Sequence, residues 1–221
     1  MAITAKLVIA DDHPLFRAAL TQTIAQHDND DIMILEASDI SSLQEICQRE
    51  QHIDLVLLDL HIPGARGLSG LIYLVNNFPH IPVMMISAND GDDIIGKAIA
   101  QGAAGFLSKS AEPAEIARAI QVVKMGDIYL PPHCNVDLEA LEDSQDTDIS
   151  QLMSQLTPQQ FKVAVMLAEG LLNKQIAFEL NVTEATVKAH VTEIFRKLGV
   201  SSRTQAVLMI SQLDIQTPSF N

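Results

Sequence analysis

Residues 55–67 read LVLLDLHIPGARG, from Leu55 to Gly67. Four apolar residues in a row, a carboxylate at Asp59 and a Pro63-Gly64 turn signal describe a short strand buried on both faces and ending at solvent. Similar runs stand on either side of it: Lys6 to Ala10, Ile32 to Leu35, Val83 to Ile86 and Gly105 to Leu107. Apolar residues at helical spacing fill the intervals. Five strand and helix units in alternation predict an α/β fold, a doubly wound five-stranded parallel sheet. In such sheets ligands gather outside the carboxyl ends of the strands.

Polar residues mark those ends. Asp11 and Asp12 follow the first run, Asp59 closes the third, Ser87 closes the fourth and Lys109 follows the fifth. Each has an ordinary reading alone, since Asp starts helices and Lys109 or Ser87 suits a surface. Asp59 is different, because a carboxylate closing an apolar run needs a cation or hydrogen bonds to stay ionised. Clustered carboxylates form a hard oxygen site suited to Mg²⁺. Carboxylate, divalent cation, lysine and hydroxyl together suit phosphoryl chemistry, in which charge neutralisation does most of the work.

With Asp11-Asp12, LVLLDLHIPGARG around Asp59, Ser87-Ala88 and Gly105-Phe106-Leu107-Ser108-Lys109 in place, residues 6 to about 125 resemble the receiver domain of two-component response regulators, a flavodoxin-like fold. The resemblance implies that Asp59 accepts a phosphoryl group from a sensor histidine kinase. It implies Mg²⁺ held by Asp12, Asp59 and the backbone carbonyl of His61, with Asp11 assisting. Lys109 then pairs with a phosphoryl oxygen and the Ser87 hydroxyl moves to another. Phe106 stands where the family has an aromatic that follows that hydroxyl inward, although plain core packing also explains a Phe there. Ser110 stands where many receivers have proline, and His61 occupies a position that influences phosphoryl lifetime.

Charge divides the chain of 221 residues further. Residues 1–130 carry 8 basic and 17 acidic groups, residues 131–150 carry none and 6, and residues 151–221 carry 6 and 5. Three parts follow: an acidic first domain at 1–130, which the resemblance makes the phosphoacceptor domain, an acidic linker at 131–150 and a helical domain at 151–221. With 48 % apolar and 19 % charged residues the chain can bury a core, which excludes wholesale disorder. Its apolar runs are strand-length, its start has no signal-peptide pattern, and Cys47 and Cys134 form no CxxC, so a cytoplasmic protein without membrane contact is expected.

The third part opens LTPQQFKVAVMLAEG, with Thr157 as N-cap, Pro158 at the first helical position, Gln160 placed for a capping box and Gly170 as the stop. Asn173 to Leu180 forms a second helix, Thr183 caps a third running to Leu198 before Gly199, and a fourth begins near Ser202. A small all-α four-helix domain with a tight turn suits a helix-turn-helix or a generic interaction bundle. GLLNKQIAFELNVTEATVKAHVTEIFRKLGVSSRTQAV resembles the LuxR-type DNA-binding domain of NarL/FixJ-subfamily response regulators. That resemblance implies double-stranded DNA at promoter sites as a partner. Lys188, Ala189 and Thr192 would face the major groove, and Lys174, Thr186, Arg196, Lys197 and Arg203 the phosphates. Gln160 replaces a usual Glu, and Glu193 brings negative charge near the groove. A domain with 6 basic and 5 acidic groups gains specific binding most readily as a homodimer.

The chain is therefore expected to be a transcription regulator switched by phosphorylation at Asp59, and not an enzyme. Two alternatives share its residues. One keeps the DNA-binding module but switches the receiver by another ligand or partner. The other, an aspartyl-phosphate phosphatase, uses the same Asp, Ser and Lys set, but His61 stands where such enzymes carry a second Asp.

Overall fold

Continuous apolar runs do become a parallel sheet. The computed structural model of the chain describes residues 5–27, 32–136, 152–153 and 155–211. Strands β1 (Ala5–Ala10), β2 (Ile32–Ala37), β3 (Leu55–Asp59), β4 (Val83–Ser87) and β5 (Gly105–Ser108) pair in parallel in the order β2-β1-β3-β4-β5. Helices α1 (Pro14–His27), α2 (Ile40–Arg49), α3 (Ser69–Asn77), α4 (Asp92–Ala100) and α5 (Pro113–Lys124) alternate with them. The order reverses between β1 and β3, so the crevice of a doubly wound sheet opens at Asp11 and Asp59.

Strand alternation sends neighbours to opposite faces. Leu7, Ile9, Leu55, Leu57, Met84 and Leu107 bury themselves with Leu20 and Ile24 of α1 and Ile116 and Ile120 of α5. Val8, Val56, Leu58, Met85 and Phe106 pack in the other core, with Leu43 of α2, Ile72 of α3 and Ile95 of α4. Every residue of β3, β4 and β5 is buried, which is why those runs show no polar alternation. β2 is an edge strand with half-buried positions.

The chain leaving α5 stays on this unit. Tyr129 lies beside β5, donating its N–H to Ala104 O at 3.2 Å and accepting from Phe106 N at 3.0 Å. A Cβ on Gly105 would lie 2.9 Å from the Tyr129 carbonyl oxygen, so only glycine admits this approach. Leu130, Cys134 and Val136 then pack on the core that holds Phe106. His133 Nε2 lies 3.2 Å from the Asp90 carbonyl oxygen, and Asn135 N donates to Asp92 Oδ1 at 3.2 Å. The first six residues of the expected linker are thus docked, while 137–150 fall outside the described residues.

The C-terminal helices are α6 (Pro158–Ala168), α7 (Asn173–Glu179), α8 (Glu184–Leu198) and α9 (Arg203–Ser211). Thr157 Oγ1 accepts from Gln160 N while Gln160 Oε1 accepts from Thr157 N, a reciprocal capping box. Between α7 and α8, Asn181 adopts φ 50°, a left-handed conformation that asparagine tolerates better than most residues. Gly199, at φ 66°, ends α8 as expected. Val187, Ile194 and Leu198 of α8 are buried with Phe161, Val165 and Ile176. Arg66, ahead of α3, donates to Ala168 O at 2.8 Å, and the Tyr73 ring lies 4.9 Å from that of Phe161, so the helical unit rests against the first.

Burial pushes the Cys47 thiol up to about 12, leaving almost no thiolate near neutrality. In the folded protein at pH 8, Cys47 is therefore expected to resist iodoacetamide, with half-buried Cys134 labelled first and both labelled in urea. Peptide mapping by mass spectrometry checks this, and comparable native labelling of the two would contradict the packing around α2.

Candidate functional site

The ends of β1, β3 and β5 bring charge together in a place water scarcely reaches. Asp11 and Asp59 are each only 2 % exposed. Lys109, just past β5, reaches between them, with Nζ 2.6 Å from Asp11 Oδ2 and 3.0 Å from Asp59 Oδ2. Its backbone N–H donates to Ser87 O, which fixes the lysine to the end of β4. Burial disfavours the charged ammonium, but the bonds and charges of Asp11 and Asp59 together outweigh it and raise the Lys109 pKa above its ordinary value. The stabilisation from that raised pKa is present below the unfolded lysine's value and fades only at more alkaline pH, so the pair persists across the neutral range.

The neutralisation is incomplete. Asp59 Oδ1 is buried without a hydrogen-bond partner among the described residues. Asp12 is more open, and its Oδ1 lies 2.7 Å from His13 Nδ1, which is also 3.1 Å from Asp11 Oδ1. Asp11, Asp12, His13 and Asp59 each place a ligand atom within 4.8 Å of the others. Three carboxylates against one ammonium leave a formal charge of −2, an excess that a divalent cation balances. An orphaned buried oxygen in a crevice lined by three carboxylates fits a hard cation such as Mg²⁺. His61 is exposed on the turn after β3.

Ser87 and Phe106 lie on the neighbouring strands, and both are wholly buried. Ser87 Oγ accepts from Asn89 N at 3.0 Å, which ties it to the β4–α4 loop. Phe106 already points into the core. Residues that the strand-end reading passed over also build the pocket. Phe16 lies under Lys109, its ring centroid 4.9 Å from Nζ, and Arg17 donates to the Asp11 carbonyl oxygen and to Glu36 Oε2. The signal for both was their place two turns or fewer past Asp11-Asp12.

On α8, Lys188, Ala189 and Thr192 are exposed along one side, opposite the buried Val187, Ile194 and Leu198. Thr183 Oγ1 caps the helix by accepting from Thr186 N at 3.1 Å. Lys188 Nζ lies 3.2 Å from Glu184 Oε1, and Arg196 donates twice to Glu193 Oε2. Lys174 is exposed on α7. Two basic groups expected at phosphates are held inside the domain. Lys197 Nζ donates to Gln155 O and Gln160 Oε1, each at 2.7 Å. Arg203 donates to the Leu167 and Leu171 carbonyl oxygens at the end of α6, where a cation suits the helix dipole. The Gln160 amide oxygen thus serves both the cap and Lys197.

Residues 7–121 match the model of the response regulator receiver domain, and residues 154–210 that of the bacterial regulatory proteins of the luxR family. The chain belongs to the response regulators. It joins a receiver to a luxR-type DNA-binding domain, the make-up of a phosphorylation-controlled transcription regulator. It is 38 % identical over 214 residues to the glycerol metabolism activator of Pseudomonas putida, covering 95 % of this chain and 96 % of that one. It is 30 % identical over 216 residues to the nitrate/nitrite response regulator protein NarL of Escherichia coli, covering 94 % and 95 %. Among solved structures it resembles RcsB of Salmonella typhimurium in fold, with a TM-score of 0.55 at 21 % identity, covering 96 % of this chain and all of that one.

The balance of charge around Lys109 has a measurable consequence. Lys109→Met leaves two buried carboxylates facing each other and is expected to lower the unfolding free energy by about 3 kcal/mol. Asp59→Asn removes one of the two and is expected to shift stability the other way. Urea denaturation in EDTA and in Mg²⁺ checks both, with the Lys109→Met loss shrinking when Mg²⁺ is present.

Proposed function

We propose that Asp59 accepts a phosphoryl group from a sensor histidine kinase and that this modification changes dimerisation and promoter binding by residues 151–221. The observation that carries it is the buried Oδ1 of Asp59, without a hydrogen-bond partner among the described residues, in the carboxylate that Lys109 contacts through Oδ2. An Asp59 oxygen forms the new bond to phosphorus as the donor's phosphorus–nitrogen bond breaks, and the imidazole leaves with a proton. Lys109, released from the Asp59 carboxylate charge, turns to a phosphoryl oxygen. The Ser87 hydroxyl gives up the Asn89 N–H and donates to a second oxygen, and Phe106 keeps the core closed behind it. Asp12, Asp59 and the His61 carbonyl, with Asp11 assisting, would hold Mg²⁺, which would supply neutralisation of the phosphoryl charge.

In the DNA-binding part, Lys188 and Thr192 reach base edges and Ala189 meets a thymine methyl. Lys174, Thr186 and Arg196 contact phosphates, and so do Lys197 and Arg203 where their internal bonds leave donors over. The functional division is a receiver at 1–130, a linker at 131–150 and a DNA-binding domain at 151–221. The regulator acts in the cytoplasm, and it has no enzymatic product beyond its own phosphorylation.

Intact mass after incubation with acetyl phosphate and Mg²⁺ tests the central step. The expected gain is one phosphoryl group, absent with EDTA and absent in Asp59→Asn. Uptake that survives Asp59→Asn would move the acceptor elsewhere. No uptake from acetyl phosphate or from a panel of kinases would leave the DNA-binding domain in place and transfer control of the receiver to another ligand or partner.

A further inference from the structure

The DDHPLF segment brings an aromatic ring into the acidic pocket, a contact with no part in the chemistry above. Phe16 lies in the first turn of α1, where its N–H donates to His13 O at 3.1 Å. Its ring packs against the core that holds Ile116 and Ile120, which fixes its position. Lys109 Nζ sits 4.9 Å from the ring centroid, inside the range in which a cation is drawn to a π face. Lys109 is only 18 % exposed, so that attraction is poorly screened.

We infer that Phe16 is a positioning residue for phosphoryl transfer, its ring face holding the Lys109 ammonium in the pocket while that ammonium changes partners. The inference rests on Asp59 being the acceptor. Phosphorylation turns Asp59 Oδ2 from a carboxylate oxygen into part of an acyl phosphate, and Lys109 must swing to a phosphoryl oxygen. A hydroxyl or carbonyl at position 16 would bind the ammonium along one direction and oppose the swing. A π face attracts it over a range of angles, so the hold persists as Nζ moves.

The test compares Phe16→Leu, Phe16→Tyr and Phe16→Trp in the full chain with acetyl phosphate and Mg²⁺, following uptake by intact mass. Leu is expected to slow Asp59 phosphorylation about fivefold, the scale of one cation–π contact, while Tyr and Trp stay within about twofold of the unaltered chain. In urea denaturation, Phe16→Leu and Lys109→Met are expected to be non-additive, because the second removes the cation that the first releases. A Leu variant as fast as the unaltered chain, or Tyr and Trp as slow as Leu, overturns the inference and leaves Phe16 as packing. Failure of the unaltered chain to take up phosphate at Asp59 overturns the underlying reading instead, and the denaturation cycle then decides whether the ring holds the ammonium.

A separate set of contacts concerns how the switch reaches the rest of the chain. Asn89 N is bonded to Ser87 Oγ in the loop that carries Asp90 and leads into Asp92, the first residue of α4, and these two aspartates hold His133 and Asn135 of the exit segment. We infer that this exit segment is a clip that phosphorylation loosens. Withdrawal of the Ser87 hydroxyl frees the Asn89 N–H, the loop re-forms, and both clip bonds lose their acceptors' positions. Cys134, between the two clip residues, is the natural reporter.

Alkylation of Cys134 in the full chain is expected to accelerate several-fold once Asp59 is phosphorylated, with Cys47 silent as an internal control. His133→Ala is expected to raise the unphosphorylated rate and to narrow the difference. Protein whose mass shows the phosphoryl group, yet whose Cys134 labels no faster than before, overturns the clip without touching the assignment of Asp59.

Discussion

One lysine between two buried carboxylates sets the terms for the whole receiver. Lys109 contacts both Asp11 and Asp59 within 3.0 Å, yet a third carboxylate at Asp12 leaves the pocket negative. Burial makes such an arrangement costly unless charges and hydrogen bonds compensate, and here the compensation is partial. The site is therefore built to receive positive charge or to exchange it, which is the property that phosphoryl chemistry uses. The surrounding fold can sustain it because the groups stand at the ends of buried strands, Asp59 closing an otherwise wholly apolar β3 and Asp11 and Lys109 following β1 and β5.

The parallel sheet supplies that geometry by register. Ala10 lies opposite both Leu58 and Ala37, Asp59 opposite Ile86, and Ser87 opposite Ser108. The polar residues thus begin at nearly the same level on neighbouring strands, and the crevice between β1 and β3 opens where they do. Moving Asp59 by one position would turn its side chain toward one of the two cores. The same register ties Ser87 to the loop ahead of α4 and sets Phe106 next to Tyr129, so pocket and chain exit share a rigid frame.

How much of this the amino-acid sequence disclosed follows the physics of each feature. The sheet and the strand-end residues were legible, because burial on both faces leaves a continuous apolar run and a polar residue ending it is conspicuous. The ends of α6 and α8 were legible through Thr157, Gln160, Thr183 and Gly199, whose capping is local. Contacts between distant segments were not. Nothing near Phe16 announces Lys109, and nothing near His133 announces Asp90, since each pair meets only through the sheet. Lys197 and Arg203 looked like surface charges because their carbonyl partners belong to other helices or turns.

Those internal bonds also bear on how the DNA-binding domain works. Of its 6 basic side chains, Lys197 and Arg203 hold carbonyl oxygens, and Lys188 and Arg196 face Glu184 and Glu193. Four of the 6 cations thus already have partners within the domain, which weakens the positive field that a single copy offers a duplex. Such weakness suits a switch. When one copy binds poorly, affinity depends on how often a second copy is presented beside it, and joining two modules raises the effective concentration without any new DNA contact. Residues 1–130, with 17 acidic against 8 basic groups, strengthen this dependence by repelling the duplex wherever the two come close. Control of DNA binding can then reside in the receiver, with the exposed face of α8 left unchanged.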